Sequence, residues 1–395
     1  MPDLLMLGLL FVSIAIGYFL GRRFSYQKSL DHEAPAYDKN YFKGLNLLLN
    51  EQPDAAIDTF IESLDVNSET LETHLALGNL LRRQGEVDRA IRIHQNLLAR
   101  PGLTINQQHL AQLELARDYV KAVLLDRAET LFKELVEQSD VLRDISLEHL
   151  IEIYRDEKEW ANAINTVEHL AGKRLSKVPL KWRCAQAHFC CELAEIALGK
   201  NDYLSARRHL KAALNYDKNL VRASLIWGQL EYQLGNSREA LKILKKIPQQ
   251  DSNYLNEALE LFVKCYVQLD DRAGLRQYIS QLQGEYPSNS LVLELTKIIR
   301  SSEGDLAAAD YIGSQLKQRP SLQGLSQLLE LYLENSKEKS QNNLLLLKQL
   351  VDQLIEKKPT YQCSQCGFTG NQLHWLCPSC KSWNTIKAIR GIEGE

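Results

Sequence analysis

The sequence is poor in the two residues that make most turns. It has 20 glycines and 10 prolines in 395 residues, whereas average usage would give about 47 of the two together. A chain that is short of turn-forming residues and rich in leucine is expected to be helical throughout. The scarcity therefore excludes the collagen-like, low-complexity and β-sandwich classes.

The chain also has little net charge and few cysteines. Its formal charge is -3 and its pI is about 6.3, which excludes a dominant nucleic-acid-binding surface. The hydrophobic fraction of 45% excludes disorder. The length exceeds what one compact core holds, so several domains or a repeat array are expected. Eight cysteines are too sparse for a disulfide scaffold, and four of them lie between Cys363 and Cys380.

One long apolar run lies at the N-terminus, where residues 4–20 read LLMLGLLFVSIAIGYFL without a charge. A cleaved signal peptide, a buried core helix and a transmembrane anchor compete as interpretations. A signal peptide has basic residues before the run and small residues after it, but here Asp3 precedes the run and Arg22-Arg23 follow it. The pattern favours an anchor over residues 1–23 with the following chain in the cytoplasm. Residues 24–36 are polar and are predicted to be a juxtamembrane linker.

Residues 37–358 carry a recurring pattern of two helices joined by a short turn. The clearest copies read KGLNLLLNEQPDAAIDTFIESL, LGNLLRRQGEVDRAIRIHQNLL and WGQLEYQLGNSREALKILKKI. One position of the second helix is small in every copy: Ala56, Ala90, Ala128, Ala163, Ala206, Ala240, Gly274 and Ala308. Four of the seven intervals between these positions are 34 residues, which is the period of the tetratricopeptide repeat.

Small residues are expected wherever two antiparallel helices approach closely. Gly44, Gly78 and Gly228 each precede a second-helix alanine by twelve residues, and we expect them at the crossing of the two helices. The sequence predicts eight repeats, closed by a helical pair at 325–334 and 343–357. The alternative, an unrelated helical bundle, does not explain the regular spacing. The predicted fold class is all-α, a tetratricopeptide superhelix that follows the anchor.

A repeat array of this kind presents a long docking surface for a peptide or a protein, lined by the first helix of each repeat. The polar residues predicted there are Asn79, Arg82, Arg83, Arg117, Lys121, Glu152 and Arg155. They suggest a mildly basic groove for an acidic partner segment, although ordinary solvated helix charges are the favoured explanation for each residue taken alone. We interpret the scattered histidines as packing or surface residues. The same holds for the four cysteines on predicted helices, Cys184, Cys190, Cys191 and Cys265.

The last segment, residues 359–395, contains two Cys-x2-Cys pairs, Cys363 with Cys366 and Cys377 with Cys380. Each pair places two thiolates on one side of a tight turn, and two such turns complete a tetrahedral metal site. A thioredoxin-like redox role is disfavoured because two pairs occur and no βαβ pattern surrounds them. His374 is a weaker candidate ligand. We expect Tyr361, Phe368, Trp375 and Trp383 to pack this small domain against the last helices.

The identity of the metal remains open between iron and zinc, because both suit four thiolates. The segments CSQCG and CPSC resemble the knuckles of rubredoxin, which favours iron, although Lys381 stands where rubredoxins carry a second glycine. A closed four-thiolate site leaves no position for a substrate, and no nucleophile–base set or phosphate-binding loop is recognisable. The chain is therefore expected not to be an enzyme, and metal binding is expected to fold this small domain.

The combination of an anchor followed by Gly-Arg-Arg, a tetratricopeptide array and a tail of the form CxxCGF…CPxC…TIKxIRG resembles the lipopolysaccharide assembly protein B family of Gram-negative bacteria. The resemblance covers essentially the whole chain, and the tail is its most specific part. It implies that Cys363, Cys366, Cys377 and Cys380 are rubredoxin-type metal ligands. It also implies a single-pass inner-membrane adaptor with a periplasmic N-terminus and a cytoplasmic array, and the near-neutral charge predicts no nucleic-acid partner.

The resemblance further implies that the adaptor promotes proteolysis by the membrane protease FtsH. The implied target is the UDP-3-O-acyl-N-acetylglucosamine deacetylase of lipid A synthesis, so that lipopolysaccharide supply is held in check. Two other functions stay open. One is a scaffold that gathers lipopolysaccharide-synthesis or transport proteins at the inner membrane, and the other is an enzyme or electron carrier centred on the four cysteines.

Overall fold

The computed structural model describes residues 18, 43–44, 46–47, 55, 59, 71–171, 178–335, 338–392 and 394. The expected anchor, the linker and most of the first repeat lie outside these residues, apart from the isolated positions given. The chain divides into two compact units, 1–143 and 144–395, and each unit is described by itself. None of the helices in the described part is both long and apolar enough to cross a membrane.

The described part of the first unit contains two complete antiparallel helix pairs. Its helices are α1 (Leu71–Gln84), α2 (Val87–Leu98), α3 (Ile105–Lys121) and α4 (Leu125–Gln138). Helix α3 begins at a capping box, in which the Thr104 side chain accepts from the Gln107 backbone and the Gln107 side chain accepts from the Thr104 backbone. This cap satisfies two of the backbone N–H groups that a helix start leaves without partners. The apolar faces of α1 and α2 form the core around Leu81, Ile93 and Leu97.

The second unit continues the same pattern of helix pairs and ends in a small sheet. Its helices are α5 (Arg143–Asp156), α6 (Trp160–Ala171), α7 (Leu180–Gly199), α8 (Tyr203–Tyr216), α9 (Val221–Gln233), α10 (Ser237–Leu244), α11 (Ile247–Asp251), α12 (Leu255–Gln268), α13 (Arg272–Glu285), α14 (Asn289–Glu303), α15 (Asp305–Gln318), α16 (Leu322–Glu334) and α17 (Glu338–Glu356). The mostly helical tetratricopeptide-type fold predicted from the sequence is confirmed by this arrangement.

Small residues lie where the helices of a pair cross. The Gly228 backbone in α9 faces Leu244 of α10 so closely that a Cβ at this glycine would lie 2.5 Å from the Leu244 Cδ2. A Cβ at Gly78 would lie equally close to the ring of His94. The second-helix alanines in the described part, Ala90, Ala128, Ala163, Ala206, Ala240 and Ala308, are fully buried. The short side chains therefore set the distance between the paired helices.

Most helix pairs are joined by the same tight turn, which explains how the chain manages with few glycines. One residue in each turn has a left-handed backbone: Gly85, Val123, Lys158, Asn201, Gly235 and Asp270. The next residue donates its N–H to a carbonyl five positions back, as Leu124 does to Tyr119 at 2.9 Å. This is the Schellman motif, for which glycine is the usual residue. Here four of the six turns use another residue at the strained position.

Two local features differ from the expected pattern. Helix α10 has only eight residues, and a short helix α11 and a 3-10 turn (Ser252–Tyr254) follow it before α12 begins. The sequence signal for the break is Pro248, which occupies the first turn of α11, a position where proline is tolerated. The last helix pair begins earlier than predicted, at Leu322 and Glu338, and Ser321 caps its first helix by accepting from the Gly324 backbone.

The C-terminal segment folds into a three-stranded antiparallel sheet. Its strands are β1 (Tyr361–Cys363), β2 (Thr369–Gly370) and β3 (Ile386–Ala388), in the order β2-β1-β3. Tyr361 of β1 is paired with Gly370 on one side and with Ala388 on the other. The sheet brings the two ends of the segment together, so that the cysteine turns between the strands face each other.

Candidate metal centre and its docking on the repeats

The two cysteine pairs form turns of the same geometry. In the first turn the Gly367 N–H donates to the Cys363 carbonyl at 3.0 Å, and in the second the Lys381 N–H donates to the Cys377 carbonyl at 2.9 Å. Gly367 and Lys381 both have a left-handed backbone, with φ of 77° and 56°. Lys381 thus adopts, as a non-glycine residue, the conformation that the missing second glycine would adopt freely.

The four sulfur atoms are positioned for one metal ion. All four Sγ atoms lie within 4.8 Å of one another. The Sγ of Cys363 lies 3.8 Å from that of Cys380, and the Sγ of Cys366 lies 3.7 Å from that of Cys377. A regular tetrahedron with metal–sulfur bonds of about 2.3 Å has edges of about 3.8 Å. The four cysteines therefore fit a metal ion in tetrahedral coordination by thiolates.

The surroundings shift the acidity of the thiols in opposite directions. Burial alone would raise the pKa of Cys363, but Thr385 Oγ1 at 3.3 Å and the backbone N–H groups of Cys366 and Gln365 stabilise its thiolate. These contacts outweigh burial and lower the pKa of Cys363 to about 6. Burial instead raises the pKa of Cys377 to about 11. Since the metal binds thiolates, ion binding must displace the proton from Cys377 and is favoured by higher pH.

A metal ion in this site would have a structural role. Four protein thiolates complete a tetrahedron, so the bound ion has no position left for water or substrate. His374 lies outside the sulfur cluster, with its ring 6.5 Å from that of Phe368. The chemistry that the ion would supply is cross-linking: it would join the first cysteine turn, Cys363 and Cys366, to the second, Cys377 and Cys380. The domain core is otherwise small, made of Cys363, Cys377 and Ile386 with a few half-buried neighbours.

Aromatic side chains dock the metal domain on the repeats. The Trp383 ring is stacked on the His188 ring of α7, with centroids 4.3 Å apart, and it meets the Phe189 ring edge-on at 6.0 Å. The Trp375 ring lies 5.2 Å from that of Tyr254. Burial lowers the pKa of His188 well below its ordinary value, so this imidazole is neutral beneath the indole.

Polar contacts complete the docking between the sheet and the segment after α10. The Tyr254 hydroxyl lies 3.0 Å from the Ile386 carbonyl, to which it donates. Lys387 Nζ pairs with Asp251 Oδ2 at 3.0 Å, and the Tyr361 hydroxyl donates to Glu257 at 2.6 Å. The short helix α11 and the 3-10 turn that the sequence did not predict therefore receive the domain together with α7 and α12.

The position of this domain corrects one expectation. The aromatic residues were expected to pack against the last helices, but Trp383 packs on α7 and Trp375 on Tyr254, which lies just before α12. The C-terminal tail itself does reach the last pair, where the Leu322 N–H donates to the Ile392 carbonyl at 2.9 Å. The expectation was wrong because a sequence contains no signal for contacts between residues that are 130 or more positions apart, such as Tyr254 and Asn384.

The predicted groove residues of the first unit lie among acidic partners that the sequence analysis did not select. Arg82 donates to Asp118 at 2.8 Å and to Glu114 at 2.7 Å, and it also donates to Asn79 at 2.6 Å. Arg117 pairs with Glu114 at 2.7 Å.

Two other predicted residues of this unit, Arg83 and Lys121, are exposed. A basic groove here stays a prediction, and the ion pairs reduce its positive charge.

The two predicted residues of the second unit also have local partners. Glu152 lies 3.8 Å from both His149 and Lys181, and the hydrogen bond with His149 lowers the pKa of its carboxyl. Arg155 donates to Asp156 at 3.0 Å. A role for these side chains in partner binding stays a prediction as well.

A buried histidine–aspartate pair joins α2 to α3 in the first unit and was not predicted from the sequence. His94 Nδ1 lies 2.5 Å from Asp118 Oδ2, and both side chains are fully buried. A signal was present, because His94 occupies the position at which other repeats carry a bulky apolar side chain. The glycine opposite, Gly78, makes room for the ring. Cys190, Cys191 and Cys265 are buried on helices as expected, and burial raises the pKa of Cys265 to about 11.

Comparison with known proteins agrees with this architecture. Models of the tetratricopeptide repeat match residues 43–102 and 197–261, and the model of the rubredoxin metal binding domain matches residues 361–388. The fold and the site thus define a tetratricopeptide-repeat protein with a rubredoxin-type four-cysteine domain.

The similarity to curated proteins extends over the whole chain. The chain is 38% identical over 394 residues to lipopolysaccharide assembly protein B of Escherichia coli (strain K12), covering 98% of this chain and 100% of that protein. It is 32% identical over 402 residues to the protein of the same name from Haemophilus influenzae, with 100% of both chains covered. The chain belongs to the lipopolysaccharide assembly protein B family.

Solved tetratricopeptide structures are more distant. The C-terminal part of a repeat protein from Cytophaga hutchinsonii has a TM-score of 0.38 and 11% identity, and the match covers 69% of this chain and 98% of that one.

Proposed function

We propose that the protein is an inner-membrane adaptor that limits lipopolysaccharide synthesis by delivering the UDP-3-O-acyl-N-acetylglucosamine deacetylase to the protease FtsH. Family membership supports a role in lipopolysaccharide assembly or its regulation. The observation that carries the adaptor proposal is the docking of the metal domain on α7 and on the 3-10 turn before α12, since it joins the metal domain and the repeats into one surface that a partner would contact.

The proposed mechanism is an increase in effective concentration. The apolar segment 4–20, followed by Arg22 and Arg23, would hold the array beside a membrane-embedded protease. The array would hold the soluble deacetylase nearby, so that its transfer to the protease becomes nearly intramolecular. The protein itself performs no chemistry in this scheme. The rubredoxin-like knuckles favour iron as the bound ion, and metal analysis of protein purified without added metal distinguishes iron from zinc.

A scaffold function is the second candidate, and the word assembly in the name of the relatives favours it. In that case the array would gather synthesis or transport proteins at the membrane without affecting their degradation.

Crosslinking in intact membranes, followed by purification of the full chain, tests the adaptor proposal. We expect both FtsH and the deacetylase in the crosslinked material. A chain in which residues 4–20 are replaced by an unrelated transmembrane helix serves as the control for contacts made through the anchor. Recovery of synthesis or transport proteins without the protease would contradict the adaptor and support the scaffold.

A further inference from the structure

A cleft lies where the metal domain meets the repeats of the second unit. Its volume is about 650 Å³, and Trp375 and Leu373 form one wall. Helices α7, α9 and α12 contribute most of the remaining lining, through side chains such as Glu195, Leu225 and Leu261. This volume is within the range of about 300–1,000 Å³ that ligand pockets occupy in proteins. We refer to it as the Trp375 cleft.

The Trp375 cleft exists only when the metal domain is docked, because Trp375 and Leu373 come from the loop between the two cysteine pairs. Both side chains are half-buried and pack against the apolar core of α12 and its neighbours. Leu225 and Ile226 of α9 line the same space. The cleft therefore offers a mainly apolar contact region with an aromatic ring on one side, which suits an aliphatic side chain or the stem of a long one.

The charges that line the Trp375 cleft have a small negative excess. Its lining contains the carboxylates Glu195, Glu257 and Glu260 and the cations Arg222 and Lys264. Lys264 pairs with Glu260 at 2.5 Å. The net charge of the lining residues is thus one negative charge. The carboxylates around Arg222 make the local charge more negative.

Arg222 is 4% exposed and is shared by two carboxylates. Its guanidinium lies 2.8 Å from Glu192 and 3.1 Å from Glu195. One buried cation cannot neutralise both, so one negative charge is in excess at the side of the cleft. The side chain of Glu195 is 46% exposed, and this excess therefore faces the solvent, where it can attract a cationic group.

Amide and hydroxyl groups line the remaining edge of the cleft. Gln229 and Gln233 are one helical turn apart on α9, and Tyr203 at the start of α8 lines the same cleft. Amide side chains can both donate to and accept from a peptide backbone. The combination of an apolar wall, amides in a row and excess negative charge fits an extended polypeptide better than a small anion.

From these contacts we infer that the Trp375 cleft binds an extended partner segment that carries a lysine or arginine beside an aliphatic residue. The cation lies near Glu195, and the aliphatic side chain lies against Trp375. This inference rests on the proposed adaptor function and identifies a partner surface for it. It differs from the basic groove predicted for the first-helix charges, whose expected partner is acidic.

The test uses the purified full chain, loaded with metal, and two labelled eight-residue peptides. One peptide combines leucine and lysine with serine spacers, and the other replaces each lysine by glutamate. We expect the lysine peptide to bind, measured by fluorescence anisotropy, and the glutamate peptide not to bind. Glu195→Gln is expected to weaken the lysine peptide roughly three- to fivefold, as loss of a rim charge does, and Trp375→Ala by about tenfold, as loss of an aromatic anchor does.

Two further variants test whether the peptide binds in the Trp375 cleft. Glu239→Gln removes an exposed carboxylate of α10 that does not line the cleft, and it is expected to leave peptide binding unchanged. Because Trp375 also contacts Tyr254, Gln229→Trp is included as a variant that fills the cleft from an exposed helix position and leaves the Trp375 and Tyr254 side chains unchanged. This variant should abolish binding of the lysine peptide.

Equal binding of both peptides, absence of binding, or equal weakening by Glu239→Gln and Glu195→Gln would overturn the inference. The proposed function is judged separately by the half-life of the deacetylase in cells. If that half-life responds to the protein while neither peptide binds, the adaptor recognises its partner through a different surface.

Discussion

The Trp383 ring lies flat on the imidazole of His188, with ring centroids 4.3 Å apart and planes inclined by 14°. Trp383 follows Cys380, the last cysteine of the candidate metal site, by three residues, and His188 lies in the middle of α7. This stack connects the four-cysteine site to the repeat array. Any change that unfolds the metal domain must therefore expose one face of α7.

The stack predicts a pH dependence of unfolding for the second unit. Burial holds the pKa of His188 well below its ordinary value, so the unfolded chain takes up a proton that the folded chain does not. Stability is therefore lost as the pH falls below the unfolded pKa of about 6.5, by about 1.4 kcal/mol for one unit of pH. His188→Phe keeps a ring under Trp383 and should reduce this slope, measured by urea unfolding between pH 8 and pH 5.5.

Acid also protonates the cysteines of the candidate metal site, but this effect is the same in His188→Phe and in the unmodified chain. An identical pH slope in His188→Phe and in the unmodified chain would show that His188 is not neutral in the folded state or does not control this transition.

The metal site predicts a joint loss of metal, docking and regulation. Cys377→Ser removes one of four ligands, so the protein should purify without metal, and the indoles of Trp375 and Trp383 should become exposed to water with red-shifted fluorescence. Adaptor function should be lost together with them. Cys184→Ser, which changes a half-buried helix thiol outside the site, is the matched control and should retain all three properties. Loss of metal with intact regulation would reduce the site to a stability element.

The turn between α3 and α4 contains a residue that is poorly suited to its backbone. Val123 has φ of 61° and is 76% exposed, so a β-branched side chain occupies the left-handed region without any packing benefit. Val123→Gly should stabilise the first unit by about 1 kcal/mol, measured by chemical denaturation. Val123→Asn should give a smaller gain at the same site, because asparagine tolerates this conformation. A loss of stability in both variants would contradict the assigned turn.

The close crossing of α9 and α10 predicts opposite effects of the same substitution at two glycines. Gly228→Ala places a methyl group against Leu244 and should destabilise the second unit by roughly 1–3 kcal/mol. Gly313 lies within α15 and has open space around it. Gly313→Ala should therefore stabilise the same unit by about 0.5–1 kcal/mol. Calorimetric unfolding of both variants measures the difference, and equal effects would refute a close crossing at Gly228.

The features predictable from the sequence are the local and periodic ones. The spacing of Cys363, Cys366, Cys377 and Cys380 predicts their cluster because a Cys-x2-Cys turn fixes its own geometry. The 34-residue period predicts the helix pairs because each pair buries its alanine against its neighbour. The same period could not predict that most tight turns use residues other than glycine, since the Schellman hydrogen bonds of Lys158 and Asp270 form with any side chain.

The features that sequence reasoning missed depend on contacts between distant segments. Trp383 is 195 positions from His188, and no pattern of either segment specifies the other. The ion pairs of Arg82 with Glu114 and Asp118 join residues of neighbouring pairs. They were overlooked because Glu114 and Asp118 appear as ordinary acids of an amphipathic helix. Knowledge of which helix faces meet is needed before such charges can be separated from solvated ones.

In the proposed function, the protein brings the deacetylase to the protease FtsH. The most direct measurement is the half-life of the deacetylase after synthesis is stopped, compared between cells that contain the protein and cells depleted of it. The proposed adaptor function predicts a markedly longer half-life on depletion, restored by the unmodified chain and by Cys184→Ser but not by Cys377→Ser. An unchanged half-life on depletion would contradict the adaptor and leave the scaffold as the function of the protein.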